Sequence, residues 1–253
     1  MSDSPSRIAI VTGASSGIGE ATVRRFVTQG HGVIGNARSA DKLAALEKEL
    51  GPLFKGVAGS AAEKPVVDSL FTAAVETFGA EADIVVANAG TGLGGSVTQA
   101  DLEKYETILK LNVAGALALM QEAALRMVKK QETDYPKSAA DLVVIGSVVG
   151  KQISPFSAVY GSTKWAVHSL AEGLRREICG KGVRVTLVAP GIVVSGFQDA
   201  AGYNDETVNH FHKNFGPLLV GDDIAAAIEH VVALPPHIHI SDLTVRPTRQ
   251  DYP

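Results

Sequence analysis

A chain of 253 residues, 45% hydrophobic and 20% charged, has the composition of a folded globular protein with a sizeable core, and no linker or charge block divides it. A formal net charge of -4 leaves no basic field for a nucleic-acid backbone or an anionic membrane surface. The first residues hold no apolar signal core, no later apolar run approaches the ~18 residues of a membrane span, and Cys179 is the only cysteine. One domain over 1–253, soluble and cytoplasmic, is the expectation, with Cys179 as a small buried apolar residue rather than half of a disulfide.

The run Ile8-Ala9-Ile10-Val11 reads as a strand that ends at Thr12-Gly13-Ala14-Ser15-Ser16-Gly17-Ile18-Gly19. Apolar residues then recur at helical spacing (Ala21, Val23, Phe26, Val27) up to Gly30. In such a strand, glycine turn and helix, Gly13 turns the chain, Gly17 clears the approach of a pyrophosphate, and Gly19 lets the helix pack close to the sheet. The free amides at the helix start would face phosphate. A second strand, Val33 to Ala37, leads into Asn36-Ala37-Arg38-Ser39, where no carboxylate stands to bind the ribose hydroxyls of NAD. Arg38 is suited instead to a 2′-phosphate, which favours NADP(H).

Helices at about 40–50 and 64–78 alternate with strands at 53–58 and 84–88, and repeated βαβ units predict an α/β fold with a doubly wound parallel sheet. Ligands of such a sheet sit beyond the carboxyl ends of its strands, so Asn88-Ala89-Gly90 belongs on the binding side. A helix near 102–110 runs into Leu111-Asn112-Val113-Ala114-Gly115 and on to about Lys129; Asn112 is a polar residue in an apolar stretch and reads as a local backbone partner or a helix kink. Lys130 to Ala140 reads as an exposed loop. The strand Leu142 to Ile145 brings Ser147 to the same edge as the glycine turn.

The next helix runs to about Cys179, with Trp165, Val167, Leu170, Leu174 and Ile178 as its apolar face. It carries Tyr160 and Lys164, which at a spacing of four share one face; an ammonium beside a phenol favours the phenolate and so suits acid/base chemistry. A strand at 183–188 ends in Pro190-Gly191. The stretch 192–216 has no strand pattern, holds Phe197, Tyr203, Phe211 and Phe215, and suits a lid over a small-molecule site or an ordinary surface helix. A helix capped by Asp222 or Asp223 and a strand at about 240–246 close the chain. The pairs His210/His212 and His237/His239 do not converge at their spacing of two, so no metal site is expected.

Taken together, Thr12-Gly13-x-x-x-Gly17-x-Gly19, Asn88-Ala89-Gly90, Asn112, Ser147, Tyr160-x-x-x-Lys164 and Pro190-Gly191 resemble the motifs of the single-domain short-chain dehydrogenase/reductases, in order and spacing, from Arg7 to about Ser195. The resemblance implies a three-layered Rossmann fold of about seven strands and an NADP(H)-dependent oxidoreductase acting on a carbonyl or alcohol. It implies Tyr160 as acid/base, Lys164 as the group that lowers its pKa and holds the nicotinamide ribose, Ser147 as the substrate-oxygen donor, and Asn112 as the residue that opens its helix for a proton route. Cofactor contacts then fall to Gly13, Ser15, Ser16, Gly17, Ile18, Gly19, Asn36, Arg38, Ser39, Ser60, Asn88, Ala89, Gly90, Pro190, Gly191, Val193 and Ser195, besides Tyr160 and Lys164. Ser60 departs from the family's usual aspartate, Ser16 from the basic residue of many NADP-preferring members, and Ser195 from the usual threonine. A homo-oligomer, commonly a tetramer, is also implied. The rival of another class is a dinucleotide-binding sensor or scaffold without turnover, and Lys151 near the site is a candidate to attract an anionic substrate.

Overall fold

The computed structural model describes residues 5–154, 157–197 and 201–251. Its strands alternate with helices: β1 (Ile8–Thr12), α1 (Gly17–Thr28), β2 (Gly32–Ala37), α2 (Ala40–Leu50), β3 (Phe54–Ala58), α3 (Lys64–Phe78), β4 (Ile84–Ala87), α4 (Leu102–Leu109), α5 (Ala116–Asp134), β5 (Ala140–Ile145), α6 (Ala158–Ile178), β6 (Val183–Pro190), β7 (Val193–Val194), α7 (Asp205–Phe215), β8 (Leu219–Val220), α8 (Gly221–Val232) and β9 (Asp242–Val245). Seven strands form one sheet in the order β3-β2-β1-β4-β5-β6-β9, and every pairing in it is parallel.

Strand periodicity of two divides the apolar residues between the two faces. In β1, Ile8 and Ile10 join the core beneath α3, α5 and α6, whereas Ala9 and Val11 join the core beneath α1, α2 and α8. With both faces covered, the central strands are buried and mostly apolar, as in other parallel sheets, with Asp141 and Arg184 as charged exceptions near their amino-terminal ends. The strand order reverses about β1, which pairs with β2 on one side and β4 on the other. The chain leaves β1 for β2 on one side and β4 for β5 on the other, so the connections after β1 and β4 diverge and open a crevice at their carboxyl ends. The opposite edge is closed by ion pairs: buried Asp141 binds Arg184 at 2.8 Å and Arg7 at 2.9 Å, and Arg7 also reaches Asp83.

Several sequence expectations are corrected. The presumed loop from Lys130 is helical as far as Asp134, because Lys130 pairs with Asp134 one turn on at 2.9 Å and Gln131 faces inward. The stretch after Pro190 does hold strand, since β7 pairs with β8, two residues each. Neither Asp222 nor Asp223 is the cap residue of α8: Asp223 lies inside the first turn and accepts the Val220 N–H at 2.8 Å, while Asp222 pairs with Arg25. Trp165 is 46% exposed; the helical rotation puts Val159, Tyr160, Thr163, Lys164, Val167 and Ala171 on the buried face instead. Cys179 is exposed on the turn that ends α6. The combined helix from Leu102 to Asp134 is long and apolar enough to cross a membrane, although no uninterrupted apolar run reveals it; in the fold Leu119, Met120, Ala123 and Met127 pack it against the sheet.

Candidate active site

The site is assembled at the carboxyl edge of the sheet from segments far apart in sequence. Gly13 and Gly17 have φ of 70° and 55°, the left-handed region that glycine enters without strain. A Cβ at Gly19 would lie 2.1 Å from the Gly13 carbonyl oxygen, so only glycine lets α1 start against the turn. Thr12 locks this turn to the end of β4: its hydroxyl oxygen accepts the N–H groups of Asn88 and Ala89 at 3.1 and 3.0 Å, and the Asn88 amide donates to the Thr12 carbonyl at 2.8 Å. A side chain at Gly17 would meet Ser195 at 3.2 Å, which places the segment after β6 directly across the turn.

That cradle suits a dinucleotide. Gly17 is bare, the Ser16 side chain at the start of α1 makes no capping bond, and the helix points its amino end into the crevice. Arg38 is exposed at the end of β2 and has no ion pair to a described residue, with Ser39 beside it. Other expected cofactor contacts have local duties. Asn36 is buried and its amide donates to the Val57 and Gly59 carbonyls, holding β2 to the end of β3. Ser60 accepts the Ala62 N–H within its own turn. Asn88 serves the Thr12 contact. Gly191 donates its N–H to Val245 at 2.7 Å, and Pro190 and Val193 are buried beside it in β6 and β7.

At the centre of the edge, Tyr160 and Lys164 lie on one face of α6. Lys164 Nζ donates to the Ile145 carbonyl at 2.8 Å and stands 5.8 Å from the Tyr160 ring centre. Phe197 packs edge-on against Tyr160 at 5.2 Å between ring centres. Burial raises the Tyr160 phenol well above its ordinary range, with nearby Tyr203 adding to the effect and the Ser147 hydroxyl opposing it. Burial also lowers Lys164, to about 8. Burial thus acts against the charged form of both groups, the phenolate and the ammonium.

Asn112 stands where the α4–α5 helix widens into a π turn over Lys110–Gly115. Its amide oxygen accepts the Thr91 N–H at 2.9 Å, and its amide nitrogen donates to the Thr91 carbonyl and to Thr163. One residue thereby ties the loop after β4 to α6 behind Lys164. Lys151, read as a lure for anionic substrates, is instead bound to Asp242 and to Thr244 on β9. Among the described residues no group of three or more His, Cys, Asp or Glu side chains is placed to hold a metal.

Sequence reasoning missed His168. It lies four residues past Lys164, eight past Tyr160, and its Nε2 accepts the Ser147 N–H at 3.1 Å. The signal was continuation of the four-residue spacing along α6.

Comparison with known proteins points one way. The family model described as short chain dehydrogenase matches residues 7–205. The chain is 34% identical over 245 residues to the serine 3-dehydrogenase of Agrobacterium fabrum, covering 96% of this chain and 94% of that protein. An uncharacterized oxidoreductase of Staphylococcus epidermidis is 30% identical over 241 residues, covering 95% and 97%. Among solved structures, the closed form of a serine dehydrogenase complexed with NADP+ superimposes with a TM-score of 0.87 at 30% identity, covering 97% of this chain and 96% of that one.

Proposed function

From the premise that the chain belongs to the short-chain dehydrogenase family, and so is an oxidoreductase, we propose that it transfers hydride between NADP(H) and a small carbonyl or alcohol substrate. The observation that carries the reading is the meeting of Tyr160, Lys164 and Ser147 at one strand end beside the glycine cradle. When bound, the nicotinamide supplies or accepts the hydride. Ser147 and Tyr160 donate hydrogen bonds to the substrate oxygen as it gains charge, and Tyr160 gives it the proton that completes the alcohol. A phenol kept neutral by burial is the form that reduction needs. Lys164 holds the ribose and supports the phenolate once the proton has left.

Gly13, Ser15, Ser16, Gly17, Ile18 and Gly19 hold the pyrophosphate, and Arg38 with Ser39 holds the 2′-phosphate. The lid at 192–216 covers the substrate: Phe197 contacts Tyr160, and a Cβ on Gly92 would strike Phe197 and Ala201, so the loop after β4 and the lid close against one another. The likeness to a serine 3-dehydrogenase supports a small β-hydroxy acid as one substrate class. The protein works as one domain, in the cytoplasm, as a homo-oligomer.

The test is to follow reduced-nicotinamide absorbance with NADPH or NADH and a panel of aldehydes and ketones, and with NADP+ and β-hydroxy acids such as serine. NADPH-linked turnover of at least one compound is expected. NADPH binding without turnover across the panel would instead identify a non-catalytic sensor or scaffold.

A further inference from the structure

Three successive turns of α6 reach the end of β5. Tyr160 stands beside the Ser147 hydroxyl, Lys164 holds the Ile145 carbonyl, and His168 holds the Ser147 N–H. The imidazole is tightly enclosed at that contact. A Cβ on Gly146 would come within 2.2 Å of Nε2 and one on Gly150 within 2.5 Å, so the backbone turn carrying Ser147 is wrapped around the ring. The Ser147 hydroxyl oxygen accepts the Val149 N–H and the Gly150 N–H donates to the Ser147 carbonyl at 2.9 Å, making a short, stiff turn whose one link to α6 through the Ser147 amide is His168.

We propose that His168 is a positioning residue for hydride transfer: by accepting the Ser147 N–H from the helix that carries Tyr160, it fixes the distance between the two hydroxyls that share the substrate oxygen. The inference rests on the proposed carbonyl–alcohol chemistry. Accepting at Nε2 requires the neutral ring with its proton on Nδ1. Lys164, Glu172 and Arg175 of α6, Lys151 of the turn after β5, and Asp242 of β9 are the charged groups around the ring, the last four lining a cleft of about 410 Å³ on its outer side. Burial, reinforced by Lys164 and Lys151 and opposed by Asp242, lowers His168 to about 4. The acceptor is therefore available at any pH at which the enzyme would work.

The experiment compares His168→Leu with His168→Gln, whose amide oxygen can replace the Nε2 acceptor. Two readouts are taken: steady-state reduction of whichever carbonyl the wild type turns over, and the Ser147 amide proton resonance, which needs no turnover. Leucine is expected to lower kcat about ten- to a hundredfold, with the Kd for NADPH within about twofold of wild type, and to shift the Ser147 amide resonance. Glutamine restores most of both. Wild-type kcat in a folded His168→Leu protein overturns the proposal, as does a glutamine variant as impaired as the leucine one. If the leucine variant does not fold, Gly150→Ala, whose Cβ displaces the ring, carries the same prediction for kcat and the amide, and wild-type values there overturn it. A wild type that binds NADPH, turns over nothing, and yet shows the amide shift on substitution refutes the hydride-transfer reading while leaving the positioning contact intact.

Discussion

Charge at this site is decided by how little water reaches it. Tyr160 and Lys164 are 8% and 7% exposed, and both are displaced toward neutrality, the phenol upward and the ammonium down to about 8. A phenol and a lysine four residues apart are visible in sequence, but their protonation is not, because it depends on Phe197 and Tyr203 arriving from the far end of the chain. Arg38 is the opposite case: an exposed side chain paired with no carboxylate among the described residues, whose proposed role rests on its place at the end of β2. Losing its charge-assisted bonds to a 2′-phosphate costs about 1.5–3 kcal/mol, so Arg38→Asp should weaken NADPH about ten- to a hundredfold in a binding titration and turn the preference toward NADH. A ratio of NADPH to NADH affinity equal to that of the wild type would remove Arg38 from the cofactor site.

At the scale of elements, the π turn at Lys110–Gly115 does the most to shape the edge of the sheet. It aims Asn112 at Thr91 and Thr163 and lets Gly115 lie against the Ala61 carbonyl, where a Cβ would come within 2.6 Å. Gly115→Val forces that backbone apart and should destabilise the fold by about 1–3 kcal/mol; an unchanged midpoint in urea unfolding would show that the π turn absorbs the extra volume. The sequence exposed Asn112 and Gly115 as irregular within an apolar helix, yet the π geometry depends on a neighbour some fifty residues away in the chain. Other features were hidden for different reasons. The β7–β8 pair is two residues per strand, too short for any period, and the helical ending at Lys130–Asp134 is held by an ion pair and an inward glutamine amid residues that also suit a loop. Long, periodic elements, by contrast, were legible nearly to their ends, since alternation in the strands and 3.6-residue spacing in the helices are local properties.

The whole molecule has two unlike edges. Its amino-terminal edge is bound by Arg7, Asp83, Asp141 and Arg184. Its carboxyl-terminal edge gathers Gly13–Gly19, Asn88, Asn112, Ser147, Tyr160, Lys164 and Ser195 around one crevice. These residues were recognisable as motifs, but only the strand order brings them together, and His168, which carries no motif, was found from the hydrogen bond it makes to Ser147. The claim that this edge is a hydride-transfer site is tested most directly by Tyr160→Phe, which removes one oxygen from a buried ring. NADPH should bind with a Kd within about twofold of wild type while carbonyl reduction falls about a hundredfold or more; turnover near the wild-type rate would mean that the proton comes from another group and that the assignment of Tyr160 is wrong.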